Sequence, residues 1–399
     1  MKRFIPIVAL VLTNVMLVEP VRASTPAGTS GKIAFTRCEP DCNVRATFTI
    51  EPDGSHEVLV AQGVPWIPDC QAWSPDGSRL AVCTFNAAGF VRPATVNADG
   101  SDFTLLDAYP NLELNFFSCV EWSPDASRLL CGSQDDDRPA NDGIYTVRSS
   151  DGGDLMRVTS TPEGFQDMPV GYSPDGTRIL FLRNDPNGNW GDLFEVNPDG
   201  TGLLKLNPAD VVATSSSADD NYQLDSCCGV DADWSPDGSL IAFGARVKVP
   251  TGQSGHGPNG GSAHFAIFIV NRDGSGLVRI TPTGLDAGRD GLSWSPDGQS
   301  LAFSTRFHTV SPQIWVIHPD GTGMQELTHP ASSQDVSVGP VWSPDSTQIL
   351  FQSFRAEIGG GQEDLWIVNV DDSRLRQLTS PLAPFVPGEE APTWGRGPG

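Results

Sequence analysis

Trp294-Ser295-Pro296-Asp297-Gly298-Gln299-Ser300-Leu301-Ala302-Phe303 decides the fold. Ser-Pro-Asp-Gly is turn chemistry. Pro presets φ at the second turn position, Ser and Asp bond nearby backbone, and Gly accepts the positive φ that closes a hairpin. An aromatic residue stands on one side of this turn and an apolar run on the other. The pattern predicts two antiparallel strands buried on both faces, because no polar residue alternates with the apolar ones. Copies begin at Trp73, Trp122, Tyr172, Trp234, Trp294 and Trp342. In two copies Ala126 and Ser346 replace the turn Gly, at roughly 1 kcal/mol each if the positive φ is kept.

A second hairpin follows each copy. Ile267-Phe268-Ile269-Val270-Asn271-Arg272-Asp273-Gly274-Ser275-Gly276 leads into Leu277-Val278-Arg279-Ile280. Counterparts run through Phe48 to Val60, Ala94 to Leu106, Ile144 to Thr159, Leu193 to Leu206, Ile314 to Thr328 and Leu365 to Thr379. One first hairpin is therefore missing, and the two ends supply it. Ile33-Ala34-Phe35 matches Leu301-Ala302-Phe303, and Pro392-Thr393-Trp394 matches Pro340-Val341-Trp342. The expectation is an all-β chain: a seven-bladed β-propeller of four-stranded antiparallel blades, closed by pairing of the N-terminal strand with the C-terminal one.

The Trp-Ser-Pro-Asp-Gly-x-Leu/Ile-Ala-Phe run resembles the WD40-like (PD40) repeats of the TolB family of β-propellers. The resemblance spans nearly the whole chain past Gly31. It implies a cell-envelope interaction module. The family pattern is six blades behind an α/β domain, whereas seven units are counted here and no room for that domain is expected ahead of Gly31.

Residues 1–23 read as a signal peptide: Lys2 and Arg3, an apolar stretch from Phe4 to Val18, and Val21-Arg22-Ala23 as a cleavage site. No Cys follows it, so no lipid anchor is expected. A short linker over 24–30 precedes the propeller over 31–399, and the expected location is secreted or periplasmic, without membrane insertion. The net charge of −24 repels nucleic acid and anionic membranes, which sets both aside as partners. Eight cysteines suit an oxidising compartment. If Trp73 faces Leu80, Cys70 faces Cys83. Cys119 and Cys131 fall one residue out of that register, which calls for a bulge or a swapped pairing. Cys38 and Cys42 share a loop, and Cys227 and Cys228 are adjacent.

The Ser-Pro-Asp-Gly turns join strands A and B, and the Asp-Gly turns join C and D. Both belong to one monotonous face. The B–C and D–A connections form the other, where the connections over 207–230 and 247–263 are long for a compact domain. Acidic residues recur just ahead of strand A: Asp69, Asp167, Asp231, Asp233, Asp290 and Glu390. They are expected around the channel mouth, where crowded carboxylates suit a hard divalent cation such as Ca²⁺. A basic set, Arg37, Arg183, Arg246, Arg306 and Arg355, lies shortly past the end of strand B. Its expected partners are the carboxylates that open strand C, such as Asp192 and Asp364. His256, His264 and His308 fall on the variable face but match no metal spacing.

No Gly-x-Ser-x-Gly, His-Glu-x-x-His or phosphate-binding glycine loop occurs, so no catalytic residue is assigned. The reading is an exported, non-enzymatic and monomeric propeller, with no cofactor required, that binds a protein, peptide or cell-envelope polymer. The alternative is a lyase or hydrolase acting on a saccharide or lactone with a divalent metal at the channel mouth.

Overall fold

The computed structural model describes residues 25, 27–38, 45–62, 71–86, 89–108, 114, 116–135, 138–184, 190–206, 231–248, 263–282, 285–306, 311–333, 335–355, 363–379 and 389–397. For Cys38, Arg246, His264, Asp290, Arg306, Glu389 and Glu390 only the backbone is described. Asp69, His256, His308, Cys42, Cys70, Cys227, Cys228 and the signal-peptide reading lie outside the described residues.

The chain begins with β1 (Ser30–Cys38), β2 (Arg45–Ile50) and β3 (Val58–Ala61). Next come β4 (Ala72–Trp73), β5 (Arg79–Phe85), β6 (Val91–Asn97) and β7 (Thr104–Leu105). β8 (Phe116–Trp122), β9 (Arg128–Gln134), β10 (Gly143–Arg148) and β11 (Met156–Arg157) follow. β12 (Gln166–Tyr172), β13 (Ile179–Asn184), β14 (Trp190–Val196) and β15 (Leu204–Lys205) repeat the pattern. So do β16 (Ala232–Trp234), β17 (Leu240–Lys248), β18 (Ala263–Asn271) and β19 (Val278–Arg279). β20 (Asp286–Trp294), β21 (Leu301–Arg306), β22 (Gln313–Ile317) and β23 (Gln325–Glu326) come next. β24 (Val336–Trp342), β25 (Gln348–Phe354), β26 (Glu363–Asn369) and β27 (Arg376–Gln377) precede the last strand, β28 (Glu389–Arg396).

These strands make an all-β propeller of four-stranded antiparallel blades. Seven separate sheets do not appear among the described residues. Five sheets are separate and four-stranded, and β4 to β11 form one eight-stranded sheet. The cause is a single parallel bridge, Val91 to Phe116, that joins β6 to β8 and ties two strand quartets together. The first sheet has the order β28-β1-β2-β3. In it Ile33 pairs with Trp394, as Leu301 pairs with Trp294 and Ile349 with Trp342.

The turn that founds each blade is self-sufficient. Ser295 Oγ donates to Asp297 Oδ1 at 2.6 Å, Gln299 N donates to the same oxygen at 3.0 Å, and Gly298 N donates to Ser295 O at 2.8 Å. Gly298 has φ 71°, and Ala126 and Ser346 hold φ 59° in the same place. The Ser hydroxyls of Ser74, Ser123 and Ser235 hold the carboxyls of Asp76, Asp125 and Asp237 below the usual carboxylate range. Past the turn, Leu301, Ala302 and Phe303 are wholly buried, one side toward each neighbouring sheet. Phe303 packs with Ile267 and Ile269, and Ala302 with Ile349 and Phe351. The core is thus a set of layers between sheets. Most outer strands are only two residues long, which blunts the free edge.

Candidate functional site

The variable face is built where strand B ends. A strand's period of two puts Arg183 on the same side of β13 as Phe181. Phe181 stacks on Phe194 with ring centroids 5.4 Å apart, and the Arg183 guanidinium lies 5.5 and 5.1 Å from the two rings. Its Nε and Nη2 donate to Asp167 Oδ1 and Oδ2 at 2.6 and 2.8 Å. Register sets two carboxylates directly opposite Arg183, Asp167 on β12 and Asp192 on β14, and the fork closes on Asp167. Arg37 repeats the arrangement above Phe35 and Phe48, at 5.1 and 4.8 Å, and grips Glu57 at 2.7 and 2.9 Å. Arg355 lies 5.5 Å from the Trp366 ring, but its nearest carboxylate contact, to Asp335, is 3.8 Å.

For Arg37, Arg183 and Arg355 the expected partners are therefore corrected. Asp192 accepts from Lys205 Nζ at 2.7 Å, and Asp364 accepts from Gln377 Nε2 at 2.8 Å. Arg183 reaches strand A instead of strand C. For Arg306 the backbone register places Asp286 opposite.

Of the acidic set, the structure describes the side chains of Asp167, Asp231 and Asp233. β12, β20 and β28 begin earlier than the repeat suggests, so Asp167, Asp290 and Glu390 lie within strands, not ahead of them. Asp167 is neutralised by Arg183. Asp231 precedes β16, and its backbone oxygen accepts from Gly244 N at 2.9 Å. Asp233 is buried inside β16, and its Oδ2 accepts from Trp294 N at 2.8 Å. It fastens one blade to the next. Among the described residues, no three His, Cys, Asp or Glu side chains gather as a metal site.

Glu121 escaped the sequence reading, although it precedes Trp122 as Asp233 precedes Trp234. Its Oε2 accepts from the backbone N–H of Tyr172 in the next blade. Burial, with the charge of Asp233 adding to it, pushes the Glu121 carboxyl up to about 8. Asp286, Asp335 and Glu57 were also missed, since each is identified only by the strand register or by a partner far along the chain.

Among the histidines, His264 pairs through its backbone with Val247. His56, His318 and His329 are exposed. Cys119 and Cys131 are directly opposite and disulfide-bonded, with the register shift falling between Cys119 and Glu121. Cys83 is also disulfide-bonded, and Trp73 faces Leu80 as its register requires.

No family model matches the chain. It is 30% identical over 102 residues to the Tol-Pal system protein TolB of Anaeromyxobacter dehalogenans, covering 26% of this chain and 20% of that protein. It is 35% identical over 151 residues to dipeptidyl-peptidase 5 of Porphyromonas gingivalis, covering 37% and 20%. The matches span about a fifth of the length of these relatives. Among solved structures, the β-propeller domain of the Trilobed protease from Pyrococcus furiosus superposes with a TM-score of 0.58 at 12% identity, covering 91% of this chain and 99% of that one. TolB from Acinetobacter baumannii gives 0.50 at 16% identity, covering 89% and 79%. Oligogalacturonate lyase from Vibrio parahaemolyticus gives 0.54 at 14% identity, covering 88% and 86%. No helix among the described residues is long and apolar enough to cross a membrane. With these solved structures the chain shares a β-propeller fold, and its repeats are TolB-like.

Proposed function

We propose that the chain is an exported binding module: a closed ring of seven blades that receives a protein or peptide on the face of the B–C and D–A connections. The eight-stranded sheet then counts as two blades. In support, the innermost strands touch in the succession β4, β8, β12, β16, β20, β24, β28 and again β4. Gly54, in the turn after β2, also approaches Leu378 beyond β27, as Gly321 approaches Ile280.

One observation carries the functional reading, which is the contrast between the two faces. Turns of the first face are copies that satisfy their own hydrogen bonds, whereas the second face differs from blade to blade in its Arg partners. Fold alone does not separate binding from catalysis, because lyase and peptidase propellers share it. Chemistry favours binding. Asp167 and Asp233 are already engaged by Arg183 and by the Trp294 N–H, so neither resembles a general acid or base awaiting substrate.

The test replaces residues 249–262 by a short Gly-Ser hairpin and compares the variant with the parent in crosslinking to envelope extract. A protein identified by mass spectrometry, bound directly when purified and lost by the variant at unchanged melting temperature, supports the proposal. Equal capture by both chains, or no capture, sinks it. Dialysis against a chelator separates the readings further, since a metal-dependent enzyme loses its ion and its activity together.

A further inference from the structure

We propose that the seam where the sheet of β20–β23 packs on the sheet of β24–β27 holds a carboxylate-binding site centred on Arg355. This site does not depend on the capture of a protein partner. A chain that binds no envelope protein at all can still carry it.

The argument starts from three copies of one arrangement. Arg37 and Arg183 each sit over aromatic rings and each close a two-bond fork on a carboxylate, Glu57 and Asp167. Such forks satisfy both the charge and the planar donor geometry of a guanidinium. Arg355 has the ring beneath it but lacks the fork. Asp335, one residue ahead of β24, is the carboxylate at the corresponding place. Its oxygens are taken by Ala331 N at 2.9 Å, Ser332 N at 3.1 Å and Ser332 Oγ at 3.1 Å. Arg355 Nη1 therefore reaches Asp335 only at 3.8 Å, and Nη2 makes a long bond to Ser337 Oγ at 3.3 Å.

The guanidinium is nonetheless enclosed, with 10% of the side chain exposed. Its Nε is buried without a hydrogen-bond partner among the described residues. Beside it, the Trp366 indole Nε1 is buried and equally without a partner. Ser304 Oγ is a third such atom. It lies two residues beyond Ala302 on β21, on the side that packs against Phe351 and Trp366. Buried donors left unmade cost free energy, and a buried cation without a full partner costs more. Burial lowers the Arg355 pKa, an effect the Asp335 charge offsets in part. A carboxylate bound beside Arg355 supplies what the two sister arginines already have: two acceptor oxygens for the fork, with the indole N–H as a third donor. Neutral ligands of the same shape lack the charge that would complete what Asp335, at 3.8 Å, compensates only in part.

The experiment titrates the folded full chain with acetate, using acetamide and chloride as controls, and follows the Arg355 Nε–H and Trp366 Nε1–H resonances by NMR. Acetate is expected to shift both saturably, while acetamide and chloride shift neither. Trp366→Phe, which keeps a ring but removes the N–H, is expected to weaken acetate binding about fivefold, the loss of one modest hydrogen bond. Arg355→Gln is expected to abolish it. Should Arg355→Gln fail to fold, the three-ligand comparison on the parent chain still decides. Non-saturable shifts, or equal shifts with acetamide or chloride, overturn the proposal.

Discussion

Trp122 donates its indole N–H to the backbone oxygen of Ala72 at 3.0 Å, across the boundary between two successive strand quartets. The relationship recurs. Trp73 donates to Thr393 O at 3.4 Å, Trp294 to Asp233 O at 3.2 Å and Trp342 to Ser293 O at 3.1 Å. In each case the acceptor immediately precedes the aromatic residue of the blade before. The repeat's preference for Trp thus has a cause beyond volume: indole alone among apolar rings carries a donor at the right place. Tyr172 interrupts the series. There Glu121 links the blades instead, and the next indole, Trp234 Nε1, has no hydrogen-bond partner among the described residues.

This asymmetry makes a paired test. Trp122→Phe loses ring area and a buried hydrogen bond, and it leaves the Ala72 oxygen without that donor. Trp234→Phe loses similar area and no hydrogen bond. The first should therefore be less stable than the second by about 1 kcal/mol in urea unfolding. Equal losses would show that the indole bond adds nothing between blades.

Left-handed backbone at a non-glycine turn position is a local cost that substitution can relieve. Ala126 has φ 59°, and its turn otherwise matches those closed by glycine. Ala126→Gly is expected to stabilise the chain, by up to about 1 kcal/mol. Ser346→Gly should gain less, because Ser346 Oγ accepts from Asp297 N at 3.1 Å in the neighbouring turn. Thermal denaturation of the two variants checks the order. A destabilised Ala126→Gly would contradict the strain argument.

Glu121 gives the fold a pH dependence of a particular sign. Its folded-state pKa, raised by burial to about 8, exceeds the value of about 4.3 for an unfolded chain. Between those limits the folded protein keeps a proton that the unfolded chain releases, so stability falls as pH rises. Glu121→Gln retains an oxygen to accept from Tyr172 N–H and cannot ionise. The variant and the parent should be close in stability at pH 5, and the variant should pull ahead by pH 8. Urea midpoints measured at both values decide, and parallel curves would remove Glu121 from the account.

Local chemistry and the pairing of β1 with β28 were legible in the sequence, and the partners of individual charged side chains were not. The turn, the facing of Trp73 with Leu80, and the bulge beside Cys119 follow from residues within one hairpin. The spacing of Phe181 and Arg183 also follows, since strand periodicity sets it. What Arg183 bonds is another matter. That depends on how far β12 extends past its bulge between Pro169 and Gly171, and no residue type announces this. That Asp290 and Glu390 lie within strands was hidden for the same reason, because the aromatic residue of a repeat does not show where its strand begins. Glu121 was within reach. It occupies the slot of Asp233, and comparison of those two repeats was the signal.

The pairing of the chain's two ends should dominate stability. β28 supplies the inner strand of the first sheet, with Ile33 opposite Trp394 and Ala34 opposite Thr393. Trp394 is almost fully buried beside Phe35, Val341 and Leu350, so it joins residues from both ends of the chain in one core layer. Deleting residues 389–399 removes that ring and exposes the ladder edge of β1. Loss of a buried Trp alone costs about 3–5 kcal/mol, a large part of the 5–15 kcal/mol that holds a typical domain. The truncated chain is therefore expected to melt far lower, or to aggregate, and to recover when a peptide of residues 386–399 is added. Unchanged melting after truncation would mean that the ring does not depend on the C-terminal strand.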